Sequence, residues 1–137
     1  MIKTVRQKLK QGKPKYPVFS FKYYDKTNKQ HSFVHFDKGK QRDKLPAYES
    51  LLDKLTQLSS TSMLELSGIS KNTAFETLSY NQFNENLKNV FQRCELPPDS
   101  KLTVFRFCNQ QYRIICSSDD NIFYIIAFDF NYSAYKH

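Results

Sequence analysis

Two arginines flank a short polar stretch in FRFCNQQYRII, Arg106 before it and Arg113 after it. A guanidinium is a planar cation that holds two phosphate oxygens at once. If CNQQ folds as a tight hairpin, Arg106 and Arg113 become approximate cross-strand neighbours, and two adjacent cations need an anion between them. The chain then ends on Tyr135, Lys136 and His137. An imidazole with a reference pKa of about 6.5 suits proton transfer, whereas a phenol near ~10 does so only beside cations, one of which Lys136 supplies. The structural alternatives are an exposed sheet arginine in an ion pair and a frayed terminus.

These groups need elements to position them. KLTVFRF, QYRIICS and IFYIIAFDF read as three strands joined by polar turns, an antiparallel meander rich in β-branched and aromatic residues. The unbroken run Ile125, Ile126, Ala127, Phe128 predicts a central strand buried on both faces. Asp119 and Asp120 are adjacent in a polar loop and read as turn residues, not as paired catalytic carboxylates.

Upstream, Tyr48, Leu51, Leu52, Leu55 and Leu58 follow the stripe of an amphipathic helix, with Pro46 tolerated in its first turn. Ser62 and Glu65 fit a capping box and Gly68 a stop, which predicts a second short helix and hence an αα-hairpin. ETLSYNQF reads as extended, and Leu87, Val90, Phe91 and Cys94 recur at helical spacing. Residues 16–36 alternate as PVFSFKYY and HSFVHF around the turn DKTNKQ, the pattern of a β-hairpin. The expected fold is α+β: an antiparallel sheet with a C-terminal three-stranded meander packed against an αα-hairpin, plus a basic N-terminal extension and hairpin. Residues 1–15 form the arm and 16–137 a single domain.

The net charge of +8 is unevenly spread. Residues 1–44 carry thirteen Lys/Arg against three Asp, while residues 45–137 carry eight against ten Asp/Glu. That asymmetry points to a polyanion, with RNA or the ribosome ahead of an acidic protein or a membrane surface. Lys8, Lys10, Lys13, Lys15, Lys22, Lys101 and Lys136 are candidate nucleic-acid contacts. Tyr23, Tyr24, Phe33 and Phe36, interleaved with Lys22, Lys26 and Lys29, either stack bases or form the hairpin core.

Three cysteines, Cys94, Cys108 and Cys116, are an odd number set among apolar residues, as for reduced core thiols. His31 and His35 would share a helix face but lie about 13 Å apart in a strand, so no metal site is expected. No stretch approaches the ~20 apolar residues that span a bilayer, and no signal-like run follows the basic start, so a cytoplasmic protein without cofactor is expected.

Residues 101–137, KLTVFRFCNQQYRIICSSDDNIFYIIAFDFNYSAYKH, resemble the RelE/ParE toxin superfamily of toxin–antitoxin pairs. FRF-CNQQ-YRII looks like the family's strand, turn and Tyr-Arg-hydrophobic strand, and IFYIIAFD with Tyr135 looks like its last strand and closing segment. The turn lacks a glycine, and the front forty residues are an extension that the resemblance does not cover. It implies a metal-free endoribonuclease cutting messenger RNA on the ribosome, restrained by an antitoxin. A base would take the 2′-hydroxyl proton, cations would stabilise the phosphorane and an acid would protonate the leaving oxygen. Arg113, with Arg106, would clamp the phosphate, and Tyr135 and His137 would move protons. The alternative is a non-catalytic nucleic-acid-binding protein, or a phage or plasmid factor that inhibits a host nucleoprotein complex.

Overall fold

The computed structural model describes residues 12–68 and 75–136; Lys8, Lys10 and His137 lie outside the described residues. Five strands form one sheet in the order β1-β5-β4-β3-β2, with β1 Val18–Ser20, β2 Phe75–Ser79, β3 Lys101–Phe107, β4 Tyr112–Asp119 and β5 Ile122–Asp129. Helix α1 (Lys44–Ser59) and the short α2 (Met63–Gly68) cover one face, and α3 (Glu85–Arg93) covers the other. The α+β expectation holds. The sheet, however, is mixed and not antiparallel, because β1 runs parallel to β5, Val18 opposite Ile122.

Two cores follow from strand alternation. Phe105, Phe107, Ile114, Cys116, Ile125 and Phe128 point toward α1, while Leu102, Val104, Ile115, Ile126 and Ala127 point toward α3. The apolar run in β5 has a specific cause. Ile115 pairs with Ala127 but Cys116 pairs with Ile125, so Ile126 is an extra residue in a bulge, and Ile126 and Ala127 face the same core. Both central faces are therefore apolar, as a strand between two helical layers requires. The β4–β5 turn is carried by Asp120 and Asn121, both at positive φ (50° and 68°), the pairing a tight hairpin needs to match strand twist.

The expected N-terminal hairpin does not form. Asp25 Oδ1 accepts from Thr27 N, and Asn28 Oδ1 accepts from both Gln30 N and His31 N, so side chains close this loop locally. HSFVHF then enters a 3-10 turn, Phe33–Asp37, capped by Ser32. Phe33 and Phe36 are three apart, the 3-10 period, and both are buried, an arrangement that alternation over two residues would forbid.

His31 seals the β5 edge where β1 stops short. Phe128 N–H donates to the His31 carbonyl at 2.9 Å and the His31 ring Nδ1 meets the Phe128 carbonyl at 3.1 Å. Pro14 and Lys15 dock on the fold through their carbonyls, which accept from Asn121 Nδ2 and Met63 N. No helix among the described residues is long and apolar enough to cross a membrane.

In α1 the buried positions are Ala47, Leu51 and Leu58, whereas Tyr48 and Leu52 of the expected stripe are exposed at 46% and 66%. The apolar arc of α1 is wider than the face it packs.

Candidate functional site

Arg106 and Arg113 are direct cross-strand partners. The turn joining their strands holds Cys108, Asn109 and Gln110 all at left-handed φ (53°, 53° and 65°), which costs a non-glycine residue roughly 1–2 kcal/mol each. Arg113 answers that strain: its Nη1 donates to the Gln110 carbonyl at 2.6 Å. The guanidinium also lies 5.3 Å from the Tyr132 ring centre.

The closing segment reaches Arg113 because Asp129 folds it back. Its carboxylate accepts from the backbone N–H groups of Asn131, Ser133 and Ala134, turning the chain just past β5. Ala134 then accepts from Asn84 N at 2.8 Å, and Tyr135 bridges to Phe83. Tyr135 is 7% exposed and docked, not frayed.

A hydrogen-bonded chain results. Arg113 Nε donates to Tyr135 Oη (3.2 Å), Tyr135 Oη donates to Glu76 Oε1 (2.7 Å), and that oxygen lies 3.7 Å from Arg106 Nη2. Asp129 stands opposite Arg113 in the next strand. Arg106 thus has its anion internally, in Glu76, and Glu76 is linked to Arg113 through the Tyr135 hydroxyl. Burial, reinforced by the bond to Glu76 and opposed by Arg113, pushes the Tyr135 phenol up to about 12. At neutral pH it is a protonated donor.

The structure brings Arg106, Arg113 and Tyr135 together and adds Glu76, whose place in an edge strand gave no signal in the sequence. Arg113 is 6% exposed. Arg106 is less enclosed and borders a cavity of about 290 Å³ with Asp53, Lys54 and Gln57. Lys101 sits at the opposite end of β3, about 17 Å from Arg106 at ~3.3 Å per residue, outside the cluster. Lys136 is exposed beside Tyr135.

A second cationic region has the opposite character. Lys22, Lys26, Lys29, Lys38, Lys40 and Arg42 are exposed, and none makes an ion pair among the described residues. Lys13 approaches Asp120 at 3.8 Å with both side chains largely exposed, and Lys44 holds Asp37 at 2.6 Å. Of the four aromatics in this segment, Phe33 and Phe36 are buried, while the partly buried Tyr24 and Tyr23 pack against the two cores. Phe21, just before them, is exposed at 48%.

His31 is fixed as a neutral ring. Asn84 Oδ1 accepts from Leu87 N as the cap of α3, so its amide nitrogen faces His31 Nε2 at 3.1 Å and donates to it. The proton is then on Nδ1, donating to Phe128 O. Burial holds this imidazole below its ordinary pKa. Burial likewise pushes the Cys116 and Cys94 thiols upward, which suits core thiols and not nucleophiles.

No family model, curated protein or solved structure matches this chain.

Proposed function

We propose that this protein binds nucleic acid, RNA first, through the exposed cations of residues 22–44, and acts without catalysis, either alone or by occupying a nucleoprotein complex such as the ribosome. One observation carries this: six cations in that segment stand in solvent without a counter-ion among the described residues, while the arginine of the YRII strand is enclosed. Unpaired surface cations bind a polyanion by releasing its condensed counterions, which makes affinity fall with salt. The cytoplasm is the compartment this reading implies.

The test is fluorescence anisotropy of a labelled single-stranded RNA across a salt series. Changing Lys22, Lys26, Lys29, Lys38 and Lys40 to Gln should weaken binding and flatten the log-log salt slope by up to about 3.5, at ~0.7 per phosphate contact. A wild-type protein that leaves RNA free at about 50 mM salt ends this reading.

A second reading has its own observation, the meeting of Arg106, Arg113 and Tyr135 in one network. In it the protein is a RelE-like endoribonuclease that cleaves ribosome-bound messenger RNA and is held in check by an antitoxin. Arg106 and Arg113 then clamp phosphate, and Tyr135 and His137 exchange protons. Induced expression followed by mapping of messenger 5′ ends decides it. New ends that vanish in Tyr135→Phe favour the nuclease, and an unchanged 5′-end profile sinks it.

A further inference from the structure

We propose that the trough between α1 and the segment after β1 binds unpaired bases by stacking, without reading their identity; this rests on the nucleic-acid-binding reading above. The trough encloses about 620 Å³, a size usual for small-ligand sites. Its floor includes Tyr24, Leu51 and Phe128, and its walls are Phe21 and Tyr48.

Three features set it apart from ordinary core. First, α1 carries a second apolar stripe, Leu45, Tyr48 and Leu52 at i, i+3 and i+7, exposed at 46–66%, beside the stripe that packs on the sheet. Second, Tyr48 has one ring face stacked on Phe33, at 4.0 Å between centres and 6° between planes, which holds the ring rigid and leaves its other side for a ligand. Phe21 is braced edge-on by Tyr24 at 5.9 Å. Third, the charged side chains lining the trough are both cations, Lys26 and Lys44, with Lys22, Lys29, Lys38 and Lys40 nearby in sequence.

That charge pattern selects an occupant with a flat apolar surface and a repeated anion. Single-stranded nucleic acid offers both, with bases on the rings and phosphates on the lysines. A duplex keeps its bases stacked on each other and has none to give. The lining contains no Asn, Gln, Ser, Thr or Arg, and the Tyr24 hydroxyl already accepts from Phe33 N. Few groups can read a base edge, so binding is indifferent to sequence. Lys44 reaches a phosphate by exchanging its bond to Asp37.

The test compares full-length wild type with Phe21→Leu and Tyr48→Leu, which keep apolar volume but remove the rings. Anisotropy is read for labelled oligo(U), oligo(A) and an RNA duplex, and thermal melts verify folding of both variants. Each variant should lose roughly ten-fold affinity for both single strands, which should bind wild type within a few-fold of each other, while duplex binding stays as in wild type. If folded variants bind single strands as wild type does, the trough is not the base site, although salt-dependent wild-type binding would keep the broader reading. If wild type binds no RNA, both fail together. Displacement of oligo(U) by an acidic amphipathic peptide with sequence-dependent RNA affinity would overturn the proposal in favour of a protein-docking groove.

Discussion

Arg113 and Lys26 carry the same charge in the same small chain, and the fold uses them in opposite ways. Arg113 is enclosed with Tyr135, Tyr132 and the Gln110 carbonyl at the end of the β3–β4 hairpin, and the neighbouring arginine is matched by Glu76. Lys26 projects from a loop that side chains close for themselves, with no carboxylate partner among the described residues. A buried cation binds its partners strongly because losing one strands a charge in low dielectric, whereas an exposed one contributes little to folding and stays available. Cationic residue type alone does not separate structural from functional groups; burial and the counter-ion do.

The largest test of this contrast is Arg113→Ala. It would take the donor from the Tyr135 hydroxyl and the Gln110 carbonyl and leave the buried Asp129 opposite an uncharged side chain, and the loss should be about 3–5 kcal/mol, read as a drop in the urea midpoint. Lys26→Ala should stay within about 0.5 kcal/mol of wild type. An Arg113→Ala protein with a wild-type midpoint and weakened RNA binding would reverse the assignment of the two regions.

His31 is the next lever, since it joins the two regions: it closes the β5 edge for the lysine segment and faces the cap of α3. His31→Ala removes two buried bonds and leaves a cavity, an expected loss of about 2–4 kcal/mol. Its pH dependence has a definite sign. Burial holds the folded-state pKa below the ordinary value of about 6.5, so the unfolded chain binds more protons between the two. The stabilisation is complete above about 6.5 and is lost as pH falls toward the folded value. Urea midpoints at successive pH values should therefore fall on acidification, and less steeply in His31→Ala. His35, also depressed by burial, adds slope in the same direction.

Tyr135→Phe should cost about 1–3 kcal/mol, because Arg113 Nε and Glu76 each lose a buried partner. Ultraviolet titration of wild type should show one phenol ionising near about 12 that is absent in the variant. Ionisation near 10 instead would mean that Tyr135 is solvated and free for proton transfer, which would revive the nuclease reading.

How much of this was legible beforehand differs between the regions. The meeting of Arg106 and Arg113 could be read from FRFCNQQYRII because a tight hairpin turns spacing into cross-strand adjacency. The return of Tyr135 could not, since it depends on Asp129 gathering three N–H groups past the strand end. In the front segment, alternation in PVFSFKYY and HSFVHF suggested two paired strands. The local bonds of Asp25 and Asn28 and the three-residue spacing of Phe33 and Phe36 prevailed over that pattern. Tyr48 and Leu52 fall in one apolar stripe with the buried Leu51 and Leu58, and such a stripe carries no mark of its own width limit. Five apolar residues exceeded what α1 buries, and that excess was the available sign of the trough.

The smallest expected effect on stability completes the contrast from the lysine side. Changing Lys22, Lys29, Lys38 and Lys40 together to Gln removes like charges from a segment that already holds excess cation, so self-repulsion falls and no ion pair among the described residues is lost. The urea midpoint should rise slightly or stay unchanged, within about 0.5 kcal/mol, and any gain should shrink at high salt as screening removes the repulsion it relieves. A loss beyond about 1 kcal/mol would show these lysines to be structural, as Arg113 is, and would remove the physical basis for assigning RNA to them.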